Sequence, residues 1–197
     1  MGMELRIATS TTLHRPNADA GFVTWLDVQI IDDPEDDDAA EVPIGRIRAA
    51  IIHVGEAGSE LYDALDADSG ELEALYDVFF EENWFKEEFF HGLGPDMLYI
   101  SDTEVAPGWK ERNVDLAAVR RLCDTLGHGC ELAVMEVEDR KEAERWIRMG
   151  FERSPTPEEW GLYHMRFAFT QPLVEDDDDG SFKVVPNLNP KQRRIVN

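Results

Sequence analysis

Apolar residues fall into stretches with two different periods. Leu5–Thr12, Gly21–Ile31 and Val42–Val54 alternate or run apolar in the manner of extended chain, rich in Ile, Val and Thr, and predict three strands. Ser59 to about Phe90 changes to helical spacing through Leu61, Leu65, Leu72, Leu75, Tyr76, Phe79 and Phe80, with Asp68, Ser69 and Gly70 dividing it into two pieces. A strand follows over Asp96–Val105, then a helix over about Val114–Leu126 and a strand over Glu131–Val137. Next comes a helix over Arg140–Met149, which Gly150 should stop. Phe151–Ser154 and Leu162–Phe169 predict the last strands, separated by a Pro-rich turn. Phe79, Phe80, Trp84, Phe85, Phe89 and Phe90 read as core; because they do not all fit one helical stripe, the alternative is that some are exposed and line a pocket or an interface.

Polar runs mark the edges of this body. Asp32–Glu41 holds seven acids in ten residues around Pro34, which predicts a solvated hairpin loop. From Gln171 the chain turns acidic through Glu175–Asp179 and then basic through Lys191, Arg193 and Arg194. We therefore expect one domain over residues 1–170 and an acidic, then basic, tail over residues 171–197.

Charge narrows the function classes. The chain of 197 residues carries 42 acidic and 19 basic side chains, a formal charge of −23. Direct nucleic-acid binding is not expected, because neutralising phosphates takes clustered Lys and Arg. A field of this sign draws basic partners or cationic substrates and opposes polyanionic ligands, and it also serves solubility or salt adaptation. No apolar run reaches membrane-spanning length and the start lacks a secretory pattern, so a cytoplasmic protein is expected. Cys123, Cys130 and five scattered histidines suggest neither a disulfide framework nor a metal site, and Cys–His128 chemistry has no support in the spacing.

The central motif is Val105–Val119. A strand ends at Val105 and Pro107 follows; Lys110 comes three residues before Asn113, and the helix begins at Val114. With Met149, Gly150 and Phe151 closing a later helix, and Met165 in the last strand, the order over residues 97–169 resembles the second half of the GNAT (Gcn5-related N-acetyltransferase) superfamily. The resemblance implies an α+β fold with a central, mostly antiparallel twisted sheet of about six or seven strands flanked by helices. It implies acetyl transfer from acetyl-CoA to an amine or a basic peptide. Glu104 would be the base and Asp102 the second candidate. Val105 would supply the N–H that stabilises the thioester oxygen, while Lys110, Arg112, Asn113, Val114 and Asp115 would meet the pyrophosphate. Three departures stand out: Asn113 and Asp115 occupy glycine positions, Trp146 the place of a Tyr acid, and Asp139 that of a CoA-contacting Asn. Tyr99 and Tyr163 are the alternative acids. The first half also departs, because only residues 15–20 lie where two helices are usual.

Asn113 and Asp115 are good helix-start residues in their own right. An Asn N-cap accepts hydrogen bonds from the first-turn amides, and an Asp there complements the helix dipole. Both compete with phosphate for the same donors. Two functions follow: a GNAT-like N-acyltransferase with impaired or absent activity, or a catalytically degenerate acidic protein that binds a basic macromolecule.

Overall fold

The computed structural model describes residues 2–9, 21–33, 40–156, 161–177 and 179–187. The acidic loop expected around Pro34 and the basic run Lys191–Arg194 lie outside them. Three antiparallel strands open the fold: β1 (Gly2–Thr9), β2 (Val23–Asp33) and β3 (Val42–Ile52). Three helices follow, α1 (Val54–Ala57), α2 (Leu61–Asp68) and α3 (Gly70–Phe79). A hairpin of β4 (Phe80–Glu81) and β5 (Trp84–Phe85) leads to β6 (Asp96–Val105). The chain continues through α4 (Pro107–Lys110), α5 (Val114–Leu126), β7 (Cys130–Glu136) and α6 (Arg140–Arg148). It completes the sheet with β8 (Glu152–Arg153) and β9 (Leu162–Arg166).

Among the described residues the sheet has seven strands in the order β1-β2-β3-β6-β7-β9-β8. Every pairing is antiparallel except β6 with β7, whose crossover carries α5. This is the α+β, mostly antiparallel architecture that the resemblance implies. Period-2 alternation splits the core between the two faces. Leu98, Ile100, Ala133 and Met135 pack with α5 and α6, while Met97, Tyr99, Leu132 and Val134 pack with α1–α3. Gly150, at φ +108°, closes α6 as its position predicted. Among the described residues no helix is long and apolar enough to cross a membrane.

Two expectations change. The helical stretch ends at Phe79, and the aromatic run that follows forms the β4–β5 hairpin. Glu82 and Asn83 turn the chain there with positive φ, which a helix does not allow. Residues 171–177 and 179–187, expected as tail, pack onto the domain instead. Leu173–Asp176 (β10) and Phe182–Val185 (β11) pair antiparallel, and Val174, Phe182 and Val184 pack into the α5-side core.

Candidate functional site

Strand β6 opens the site. Arg48 pairs with Asp102 but Ala49 with Ile100, so Ser101 is an extra residue in β6. Such a bulge bends a strand and increases its twist. Pairing with β7 stops just there, at Ile100 and Met135. Beyond that point the two parallel strands part around a cleft of about 290 Å³, with Trp146 and Met135 among its apolar lining. Five carboxylates also line it: Asp102, Glu136, Glu138, Asp139 and Glu142. The cation among the lining residues, Lys110, bonds to Glu142 at 2.8 Å. Desolvation, then Glu138 and Glu71, hold the Glu136 carboxyl above the usual carboxylate range. Glu71 reaches the neighbouring face of β6 from α3. It accepts hydrogen bonds from Ser101 Oγ at 2.9 Å and Tyr99 Oη at 3.3 Å, and Arg48 lies 3.3 Å from its other oxygen.

The two base candidates behave differently. Asp102 lines the cleft and lies 3.8 Å from Arg46. Glu104 points out of the cleft into a separate shallow hollow, paired with Arg46 at 2.9 Å. Alternation does bring both toward one arginine, yet Glu104 is already engaged by a cation. Val105 packs against the core beside that hollow.

At the start of α5, where the resemblance expects an anion, the chain places a carboxylate of its own. Asp115 is 2% exposed, and its two oxygens each lie 2.7 Å from a guanidinium nitrogen of Arg145, which reaches over from α6. The Leu116 N–H donates to the same carboxylate at 2.9 Å. Arg145 also donates to Asn113 Oδ1 at 3.2 Å and to the Lys110 carbonyl at 3.4 Å. Asn113 does not cap the helix with its side chain, as its residue type suggested. Its backbone is left-handed, at φ +58°, and its Nδ2 donates to the Phe182 carbonyl on β11 at 2.8 Å. The Phe182 N–H returns a bond to the Arg112 carbonyl at 2.8 Å, and Arg112 donates to the Asp179 carbonyl while covering the Trp109 ring. Val114 is buried. Lys110, Arg112, Asn113 and Asp115 thus do converge, but onto Arg145 and the β10–β11 hairpin. At this helix start the Leu116 N–H is turned to a buried carboxylate of the chain itself, a negative charge that opposes a pyrophosphate there.

The other departures are structural as well. Asp139 caps α6 by accepting the Glu142 N–H at 2.9 Å. Trp146 is 1% exposed and edges Phe151 within the core. Tyr99 is buried, and desolvation with Glu71 beside it raises its phenol well above the usual range. Burial pushes both Cys123 and Cys130 up to about 12, so neither is a thiolate near neutrality. A further hollow of about 320 Å³ lies between β1, α5 and the hairpin, away from the cleft; Val114 is the candidate residue that reaches it.

Arg145 and Glu71 are what the sequence reading missed. No spacing rule links Arg145 to Asp115, thirty residues earlier. The hairpin did leave a signal, apolar residues at Leu173, Val174, Phe182 and Val184 around an Asp- and Gly-containing turn.

No protein-family model matches the chain, and no curated protein matches it in sequence. Among solved structures it is similar to NAA60 of Arabidopsis thaliana, determined in complex with a bisubstrate analogue. That match has 16% identity and a TM-score of 0.45, covering 75% of this chain and 78% of the other. At that identity and overlap the likeness carries no inference about activity.

Proposed function

We propose that this chain is an acetyltransferase-like scaffold given over to binding a basic macromolecular partner rather than to acyl transfer from CoA. The observation that carries the reading is the Asp115–Arg145 pair at the start of α5, 2% and 18% exposed. Its carboxylate engages the Leu116 N–H, one of the helix-start donors that a pyrophosphate would need, and puts a negative charge beneath them. The cleft supports the same reading. Its carboxylates and a net charge of −23 repel a polyanion and attract a cationic surface. A second reading, residual acetyl transfer to an amine, is favoured by the cleft itself, which keeps room between β6 and β7 with Asp102 on its wall.

One pair of titrations separates the two. Calorimetry with acetyl-CoA up to about 1 mM is expected to give no heat, a level that detects even millimolar affinity. A fluorescent nona-arginine peptide is expected to bind, with an affinity that drops steeply as salt rises. Saturable acetyl-CoA binding in the micromolar range would overturn the first reading in favour of the second.

A further inference from the structure

The basic-partner reading, on which this inference rests, leaves the receiving surface unassigned. The β4–β5 hairpin combines exposed aromatic area with a rim of one charge. Its turn residues, Glu82 at φ +50° and Asn83 at φ +62°, are both left-handed, a region that Asn tolerates and Glu does not readily enter. The turn is held in place by its surroundings. Asn83 Oδ1 accepts from Tyr76 Oη at 3.2 Å and from the Tyr62 N–H at 3.4 Å, and the Asn83 N–H donates to Tyr76 Oη at 3.2 Å.

This rigid turn presents Trp84, 37% exposed, beside Phe90, 40% exposed, with ring centres 5.6 Å apart. Phe90 is backed by the buried Phe85 in a stacked arrangement. Glu81 pairs across the hairpin with Trp84, and Glu82, Glu87 and Glu88 are exposed along the same stretch. The cation of this stretch, Lys86, is turned inward: its Nζ donates to the Asp77 carbonyl at 2.6 Å and the Val78 carbonyl at 2.9 Å. Along the chain the aromatic pair is thus flanked by four exposed glutamates, with the Lys86 ammonium tied to carbonyls of α3.

We infer that this hairpin is the docking site for an arginine-rich segment of the basic partner. Guanidinium groups stack on Trp84 and Phe90 while the surrounding glutamates pair with them. Arginine is preferred over lysine because its planar, weakly hydrated head can lie on a ring and bond to carboxylates at its edge.

The test uses the full chain with nona-arginine and nona-lysine peptides, which carry equal charge. The wild type is expected to bind nona-arginine at least about fivefold more tightly than nona-lysine. The Trp84→Ala, Phe90→Ala variant should bind both alike, with its nona-lysine affinity unchanged. Trp84→Ala alone, a change at an exposed ring, should lose part of the preference and guards against misfolding of the double variant. Equal binding of the two peptides by the wild type, or a preference that survives the aromatic changes, refutes the hairpin assignment while leaving the basic-partner reading in place. Binding of neither peptide removes both. A third variant, Lys191→Ala with Arg193→Ala and Arg194→Ala, asks whether the chain's own basic segment is the occupant. Unchanged nona-arginine affinity supports a separate partner, whereas a several-fold gain overturns it.

Discussion

The arginine–carboxylate pairs Arg145–Asp115 and Arg46–Glu104 lie on either side of the Val105 turn, and they differ in almost everything but chemistry. Arg145 and Asp115 are 18% and 2% exposed and form a bidentate pair that also gathers Asn113 and Lys110. Arg46 and Glu104 are 65% and 61% exposed and meet side by side on neighbouring strands. In the first pair the carboxylate has lost its water, so the guanidinium is its replacement solvent and neither partner can leave alone. In the second, water and ions stay in contact with both heads, and the pair competes with its own hydration. The difference explains why Asp115 fixes the fate of the loop, whereas Glu104, the residue expected to act as base, is merely occupied.

The largest expected effect comes from breaking the buried pair. Arg145→Ala leaves the Asp115 carboxylate buried without its cation and should cost about 3–5 kcal/mol, lowering the thermal midpoint by roughly 10 °C. Replacing both partners together, Arg145→Met with Asp115→Leu, removes the stranded charge and should recover much of that loss, though not the bonds that Arg145 makes to Lys110 and Asn113. If the double variant is as unstable as Arg145→Ala, charge burial is not what makes this pair matter.

The frame of this region could be read from the sequence because it depends on local spacing. The strand ending at Val105, Pro107 and the helix from Val114 all follow from neighbours a few residues apart. What fills the frame could not be read that way. Arg145 reaches Asp115 because α5 and α6 pack on the same face of the sheet, a tertiary fact with no sequence period. The β10–β11 hairpin was hidden for a different reason. Its acidic turn suggested solvated chain, but the apolar residues on either side bury themselves against α5. The aromatic stretch misled in the opposite direction. Its helical spacing runs through Phe79, and the reversal depends on two positive-φ residues that periodicity does not detect.

A buried polar contact without a formal ion pair gives an intermediate case. His164 is 4% exposed, with Nδ1 3.0 Å from Ser154 Oγ and its ring against Phe79 and Phe89. Desolvation, aided by Arg166, lowers its pKa to about 4. An unfolded His titrates near 6.5, so on acidification the unfolded chain takes up the proton first. The contribution of the neutral ring is complete above about pH 6.5 and is lost as pH falls toward 4. Urea midpoints of the wild type and His164→Gln should differ most near pH 7.5 and converge by about pH 4.5, since Gln keeps a polar partner for Ser154 but does not titrate. A constant gap across that range would mean that packing, not protonation, sets the role of this residue.

The smallest effect belongs to the exposed pair, and it is the one that bears on chemistry. Glu104→Gln keeps the shape and a weaker hydrogen bond to Arg46, so the thermal midpoint should move by no more than about 2 °C. If Glu104 served as the base of an acyl transfer, the same change would remove the proton acceptor and depress any acetylation by about a hundredfold or more. The fold would be untouched in either case, so a stability change cannot be mistaken for a catalytic one. With Arg46 engaging its carboxylate at 2.9 Å, outside the cleft that Asp102 lines, we expect Glu104→Gln to match the wild type in thermal midpoint, in acetyl-CoA titration and in acetylation assays alike. A selective loss of acetylation would return Glu104 to the role that its place on β6 first suggested, and would make the exposed pair, not the buried one, the seat of function.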